Sequence, residues 1–262
     1  MLAPVRGPLD ILFEDAWLLI VNKPAGLIVH PVGGHQEATL ANQLQAHLDG
    51  QTSHRGILRP GIVHRLDCST SGVIVIAKEH LGHRRLSIQF QNRTPEKTYL
   101  ALVEGVVPMD EGTIDLPIGR QPDCRLTLMS SSPDAIDAKP ARTQFRVVER
   151  FAEHTLVAAR PKTGRLHQVR IHLAQIGFPV VDDEFYTRFG TIKASVDVPE
   201  SDRAARSLET PLCGRHALHA FRILLTHPLT EQPLQATAPL PADMTEVIEA
   251  LRHRVVAAPE VG

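Results

Sequence analysis

Hydrophobic residues recur along this chain with two spacings, and the alternation between them predicts most of its secondary structure. Short apolar runs bounded by turn residues predict buried strands at Trp17–Val21, Gly72–Ala77, Thr98–Val107 and His216–Leu225. Thr143–Val148 and Thr155–Arg160 add strands separated by polar stretches. Helical spacing marks Thr39–Leu48, where Leu40, Leu44 and Leu48 share a face and Thr39 caps the start. A basic helix is predicted over His80–Gln91, with Leu81, Leu86, Ile88 and Phe90 as its apolar members. Leu166, Val169, Leu173 and Ile176 form a stripe on a helix over Leu166–Ile176, with Gly177 as its terminator. Pro241–Val255 predicts a last helix opening on proline. Many strands and few scattered helices predict an α+β fold around a mostly antiparallel sheet. No repeat or linker interrupts the pattern, so residues 1–262 read as a single domain. Thr187–Thr210 is polar and predicts a long surface loop, which at that length is often functional.

Composition narrows the class without naming a function. The 262 residues are 43% apolar and 22% charged, enough for a sizeable core. No apolar run approaches bilayer length, and the first residues lack a basic segment followed by a long apolar one. Cys68, Cys124 and Cys213 lie far apart and offer neither a disulfide framework nor paired zinc-ligand spacing. A cytoplasmic protein is therefore expected. The net charge is −1, yet it is unevenly spread. Eight Lys/Arg stand against two acids from Lys139 to Gly177, and two Arg against five acids from Leu229 onward. A basic face on a nearly neutral chain suits selective docking of nucleic acid, although a solvated mixed-charge surface would look similar.

Two segments can carry chemistry. In the first, Arg59 to Ile76, Asp67 sits between a basic pair, His64 and Arg65, and a small polar turn, Cys68 to Gly72. A buried strand follows at once. Flanking cations keep such a carboxylate ionised while the apolar run excludes water. The second segment, Pro161 to Leu173, runs from a strand end through a Thr-Gly turn into a helix, a junction suited to an anion. His167 and Arg170, three apart, share a face near that helix start. His167 and His172 are five apart, about 140° around a helix, so they cannot grip one ion together. Without Cys-x-x-Cys spacing, no structural or catalytic zinc is expected. Cys68 with His64 could be read as a thiol nucleophile and base, but no oxyanion site accompanies them.

Five motifs in order bring a resemblance. Asn22-Lys23-Pro24-Ala25-Gly26-Leu27-Ile28-Val29-His30-Pro31 is followed by His64-Arg65-Leu66-Asp67 with Thr70-Ser71-Gly72. Then come Lys97-Thr98-Tyr99, Thr163-Gly164-Arg165 with His167-Gln168-Val169-Arg170, and Leu218-His219-Ala220 with Thr226-His227-Pro228. In this set and spacing the chain resembles the RluA-type family of pseudouridine synthases over almost its whole length. The resemblance implies an isomerase that converts particular uridines of structured RNA, ribosomal or transfer, without a cofactor. It implies a mixed, mainly antiparallel bisected sheet. Asp67 then corresponds to the catalytic aspartate, Tyr99 to the aromatic residue against the target base, and Arg170 to the partner of the aspartate. Arg65 corresponds to the arginine that fills the gap left by the uridine, and His64, Arg165 and His167 join it as expected RNA contacts. A stacked base is out of reach, so the nucleotide must be flipped at about a few kcal/mol, of which an aromatic stack returns roughly 1–3 kcal/mol. Two features depart from the family pattern. Cys68-Ser69 replaces the usual charged residues after the aspartate, and the first motif starts too early for a preceding S4 domain. An RNA-binding protein of this fold without catalysis is the alternative; it would be expected to have lost Asp67 or Arg170.

Overall fold

A computed structural model describes residues 3–32, 38–51, 60–122, 128–193 and 211–256. In chain order its elements are β1 (Asp10–Glu14), β2 (Leu18–Lys23), α1 (Leu40–Asp49), β3 (Gly61–Ile62), β4 (Ser71–Ala77), α2 (His80–Asn92) and β5 (Glu96–Glu104). There follow β6 (Glu111–Asp115), β7 (Ile118–Arg120), β8 (Met129–Ser130), β9 (Ile136–Lys139), β10 (Arg142–Arg150), β11 (His154–Pro161) and α3 (Gln168–Gln175). The last are β12 (Leu218–Thr226), β13 (Pro233–Thr237) and α4 (Ala242–Val256). The chain divides into two compact units, Met1–Thr98 with His219–Pro239 and Tyr99–Leu218 with Leu240–Gly262. The α+β class expected from the pattern is the one observed, and every strand and helix named above from periodicity is present within a few residues.

In the first unit β4 is the central strand, and all seven of its residues are buried. A strand buried on both faces needs no alternation, which is why Gly72–Ala77 reads as a continuous apolar run. β2 pairs with it antiparallel from Leu18 opposite Ala77 to Lys23 opposite Gly72, and β1 lies outside β2. The other edge of β4 is divided. Its start pairs in parallel with β12, His219 opposite Ser71, and its end antiparallel with β3, Ile62 opposite Ile76. Leu18, Ile20, Val73, Val75, Leu86, Ile223 and Leu225 form the core. Gly72 has φ +111°, and a Cβ there would lie 2.7 Å from the Ala220 carbonyl carbon. Only glycine allows β12 to approach so closely. α1 opens at Thr39, whose N–H donates to the Asn42 side chain at 3.1 Å. α2 opens at Glu79, whose carboxylate accepts the N–H groups of Leu81 and Gly82.

In the second unit β10 is flanked by β11 and β6, and β11 pairs with β5, all antiparallel. Tyr99 stands opposite Ala159, and Ala159 opposite Phe145, so the three side chains leave the same face of the sheet. Thr143, two residues before Phe145, shares that face and bonds two side chains of α3, Gln168 and His172. Tyr99 and α3 therefore occupy one side of this sheet. α3 differs from the expected amphipathic helix over Leu166–Ile176. It starts at Gln168, and Gln168 through Ala174 are all buried, because the helix lies inside the unit and not upon it. The short strands β7, β8 and β9 form a separate small sheet. Most of the expected loop Thr187–Thr210, from residue 194 on, lies outside the described residues, as do Arg59 and Cys124.

Candidate active site

Asp67 lies four residues before β4, half-buried, in a turn closed by the Thr70 N–H donating to the Asp67 carbonyl at 3.1 Å. The Asn-Lys-Pro-Ala-Gly motif holds this turn from below. Lys23, the last residue of β2, is fully buried, and its Nζ donates to the carbonyls of Pro24 (2.8 Å), Leu27 (2.9 Å) and Cys68 (2.8 Å). The Gly26 N–H adds a bond to the Cys68 carbonyl at 3.0 Å, and the Cys68 thiol donates back to the Gly26 carbonyl at 3.2 Å. A buried ammonium is tolerable only when its donors are satisfied, and here satisfying them fastens two turns 45 residues apart. Cys68 belongs to this brace.

His64 corrects one expectation. Its Nε2 accepts the Val75 N–H at 2.9 Å, at a rung of β4 lying between those that β12 and β3 take. The ring stacks on Phe90, centroids 4.7 Å apart. Burial, helped by the charge of Lys97, pushes its pKa down to about 3. An imidazole that accepts a backbone N–H in such a place is neutral, so the basic pair beside Asp67 reduces to Arg65. The same bond denies Cys68 the base that the thiol reading required. Arg65 is exposed, and His30 is held below its usual pKa by partial burial and by Arg65's charge.

The C-terminal motifs act as fasteners within this unit. His219, buried, accepts from Ser71 Oγ through Nδ1 (2.9 Å) and donates through Nε2 to the Ala238 carbonyl (3.2 Å). His227 accepts the N–H groups of Leu229 and Thr230 and donates Nε2–H to Asp15 at 2.7 Å.

Tyr99 and Arg170 belong to the second unit, Tyr99 half-buried on β5. Arg170 is buried, and its Nε and Nη2 donate to the two oxygens of Asp183 at 2.6 and 2.7 Å. Asp183 also accepts the N–H groups of Phe185 (2.9 Å) and Tyr186 (3.1 Å). Burial alone would raise this carboxyl's pKa, but Arg170, the Phe185 N–H and the charge of His216 hold it below its ordinary value. The guanidinium lies over the Phe185 and Tyr186 rings, 5.2 and 5.4 Å from their centroids. His167 is the residue before α3, in a left-handed conformation (φ 56°), so it does not share a helix face with Arg170. Its Nδ1 meets the Tyr186 hydroxyl at 2.8 Å and its ring stacks on Phe185, so both residues converge on the same aromatic pair. Gln168 is satisfied on both sides. Its oxygen accepts from Thr163 Oγ1 and the Arg165 N–H, and its nitrogen donates to the Arg142 carbonyl and Thr143 Oγ1. Arg165 turns to the Pro140 carbonyl at 3.2 Å. Sequence reasoning missed Asp183; the one available signal was the acid pair Asp182-Asp183 after the Gly177-Phe178-Pro179 turn. Among the described residues no three His, Cys, Asp or Glu side chains gather as a metal would require, and no helix is long and apolar enough to cross a membrane.

Comparison with known proteins gives this arrangement a family. Residues 17–175 match the model of the RNA pseudouridylate synthases. The chain is 41% identical over 244 residues to the uncharacterized RNA pseudouridine synthase YlyB of Bacillus subtilis, covering 93% of this chain and 73% of that protein. It is 43% identical over 246 residues to ribosomal large subunit pseudouridine synthase D of Nitrosomonas europaea, covering 94% and 66%. Among solved structures it is similar to human RNA pseudouridylate synthase domain containing 4, with TM-score 0.70, 27% identity and 93% of each chain covered. By sequence and by fold, the chain belongs to the RluA-type RNA pseudouridine synthases, isomerases that modify RNA.

Proposed function

We propose that this enzyme converts uridines of large-subunit ribosomal RNA to pseudouridine, with Asp67 as the catalytic group. The observation that carries the role of Asp67 is its turn, whose Cys68 carbonyl is held by buried Lys23 Nζ and by the Gly26 N–H, while the same Nζ fixes its own turn through the Pro24 and Leu27 carbonyls. Such fixing is what a reacting carboxylate needs and a surface aspartate does not. The choice of RNA is supported by the ribosomal name of relatives such as the Nitrosomonas europaea protein. The reaction breaks the N1–C1′ bond and joins C1′ to C5; the proton lost from C5 is balanced by one taken up at N1, so no atom is gained or lost. An ionised carboxylate serves it by adding to the sugar or base, by stabilising an oxocarbenium-like sugar, or by taking the C2′ proton. Tyr99 is assigned as the platform for the flipped base. Arg170 is assigned, on the resemblance, as the partner that keeps Asp67 ionised. Its anchoring by Asp183 supports that role, because a guanidinium fixed along one edge keeps its orientation. Arg65 is assigned as the residue that fills the vacated stack.

The test is to add the protein to total RNA from a strain lacking it and map the new pseudouridines. New sites in large-subunit ribosomal RNA are expected, with none formed by Asp67→Asn. Sites confined to transfer RNA would overturn the target. Full turnover by an Asp67→Asn preparation shown to be free of deamidation would overturn the catalytic role.

A further inference from the structure

We propose that the hairpin tip Arg188-Phe189-Gly190 is a second base-stacking contact, on which an unpaired nucleotide of the substrate RNA lies against Phe189 while Arg188 meets its phosphate. The proposal rests on the RNA-isomerase reading above and adds to it a contact that none of the five motifs contains.

Phe189 is 71% exposed, more than any other large apolar side chain among the described residues. In a chain with only 4% aromatic residues, leaving one ring in water calls for an explanation. The backbone makes the choice odder still. Phe189 has φ 62° and ψ 26°, a left-handed conformation that glycine or asparagine adopts readily and an aromatic residue rarely does. A turn selected for stability alone would not carry phenylalanine there, and strain of this kind concentrates where a side chain has work outside the fold.

The backbone that carries the ring is nevertheless fixed. The Thr187 N–H donates to the Thr191 carbonyl at 2.8 Å, and Lys193 to the Phe185 carbonyl at 2.8 Å. Tyr186 bridges to Ile192, and the Gly190 N–H closes the turn onto Thr187. One edge of the ring rests on Gly177, where a Cβ would stand 3.4 Å from it. The base of the hairpin is Phe185 and Tyr186, the pair under Arg170. A pre-oriented ring loses little freedom on binding, which favours stacking. The charge sign selects the partner: residues 185–193 contain Arg188 and Lys193 and no acid, which suits a polyanion whose bases offer flat faces.

Phe189→Asn and Phe189→Trp test this on the full chain, using the RNA that the wild-type protein is found to modify. The readouts are the dissociation constant at fixed salt and the thermal midpoint. Asparagine should leave the midpoint equal or higher, because it tolerates the left-handed backbone, while affinity falls about 5- to 150-fold, the size of one base–aromatic stack. Tryptophan should keep the affinity, with indole emission quenched by RNA beyond any change in wild type. Arg188→Ala should lower the salt dependence of binding by about one phosphate contact. Wild-type affinity in Phe189→Asn overturns the proposal, and so does a lower midpoint with unchanged affinity, which would make the ring a structural member. If the wild-type protein forms no pseudouridine in any RNA, it is the reading beneath the proposal that fails.

Discussion

Arg170→Lys removes geometry while keeping charge, and the magnitude follows from how Asp183 is held. Both side chains are 1% exposed, and two parallel N–H donors reach the two carboxylate oxygens at 2.6 and 2.7 Å. Lysine offers one nitrogen in place of that fork. At least one charge-assisted hydrogen bond goes, about 1.5–3 kcal/mol, together with the guanidinium's seat over Phe185 and Tyr186, about 0.5–1 kcal/mol. At about 2–4 °C per kcal/mol for a chain of this size, the thermal midpoint at pH 7 should fall by roughly 4–16 °C. Asp183→Asn, which strands a buried guanidinium, should cost about 3–5 kcal/mol. The pH dependence has a definite sign. Asp183 is held below its ordinary 3.8 when folded, so its contribution is present above that pH and is lost as pH falls through the folded value. A protonated Asp183 has little use for the fork, so the gap between wild type and Arg170→Lys should narrow as pH falls below 3.8. Calorimetry or circular dichroism from pH 3 to 7 measures it. Equal midpoints at pH 7, or a gap indifferent to pH, would refute the reasoning. Single-turnover conversion below both midpoints should show Arg170→Lys losing most activity with RNA affinity changed far less.

Three further outcomes follow from particular contacts. His64 is held neutral at about pKa 3, below its unfolded value of 6.5, so the stability it confers is present above pH 6.5 and drains as pH falls towards 3. His64→Gln should flatten the stability–pH curve across that window, and denaturant midpoints at pH 4, 5 and 7 would expose an unchanged slope. Gly72→Ala should unfold or nearly unfold the first unit, since the Ala220 backbone blocks the new methyl; a soluble variant with the wild-type denaturant midpoint would contradict this. Lys23→Met, close in volume, should leave three carbonyls short of a donor and lower turnover more than RNA affinity. A variant with wild-type turnover would show that the brace is dispensable.

What the sequence disclosed and withheld has physical causes. β4, β12, α1 and α4 were legible because burial of one face or of a whole strand writes a period into the chain. β3, β7, β8 and β9 span only two to four residues, too few for any period. β6 and β13 are largely exposed edge strands, Glu111–Asp115 and Pro233–Thr237, whose polar residues resemble loop. Of the residues proposed for the site, Asp67, Tyr99 and Arg170 come from the motifs. Their supports were hidden, because a support is defined by what it touches. Asp183 gains its meaning only from Arg170 thirteen residues earlier, and His64 looked like a cation until Val75 was found at its Nε2. His167 failed the helix-face argument because one left-handed residue ended the period before it began.

The brace at Lys23 bears on how such a catalyst can be rebuilt. A designer who lifted His64 to Gly72 into another scaffold would carry the carboxylate and leave behind what sets its position, since the ammonium belongs to the preceding strand and to a different turn. The smallest transferable piece is two turns and the strand pair β2–β4 that brings them together. In that sense the proposed reacting group is a property of a strand pair, and its motif is not a loop that can travel alone.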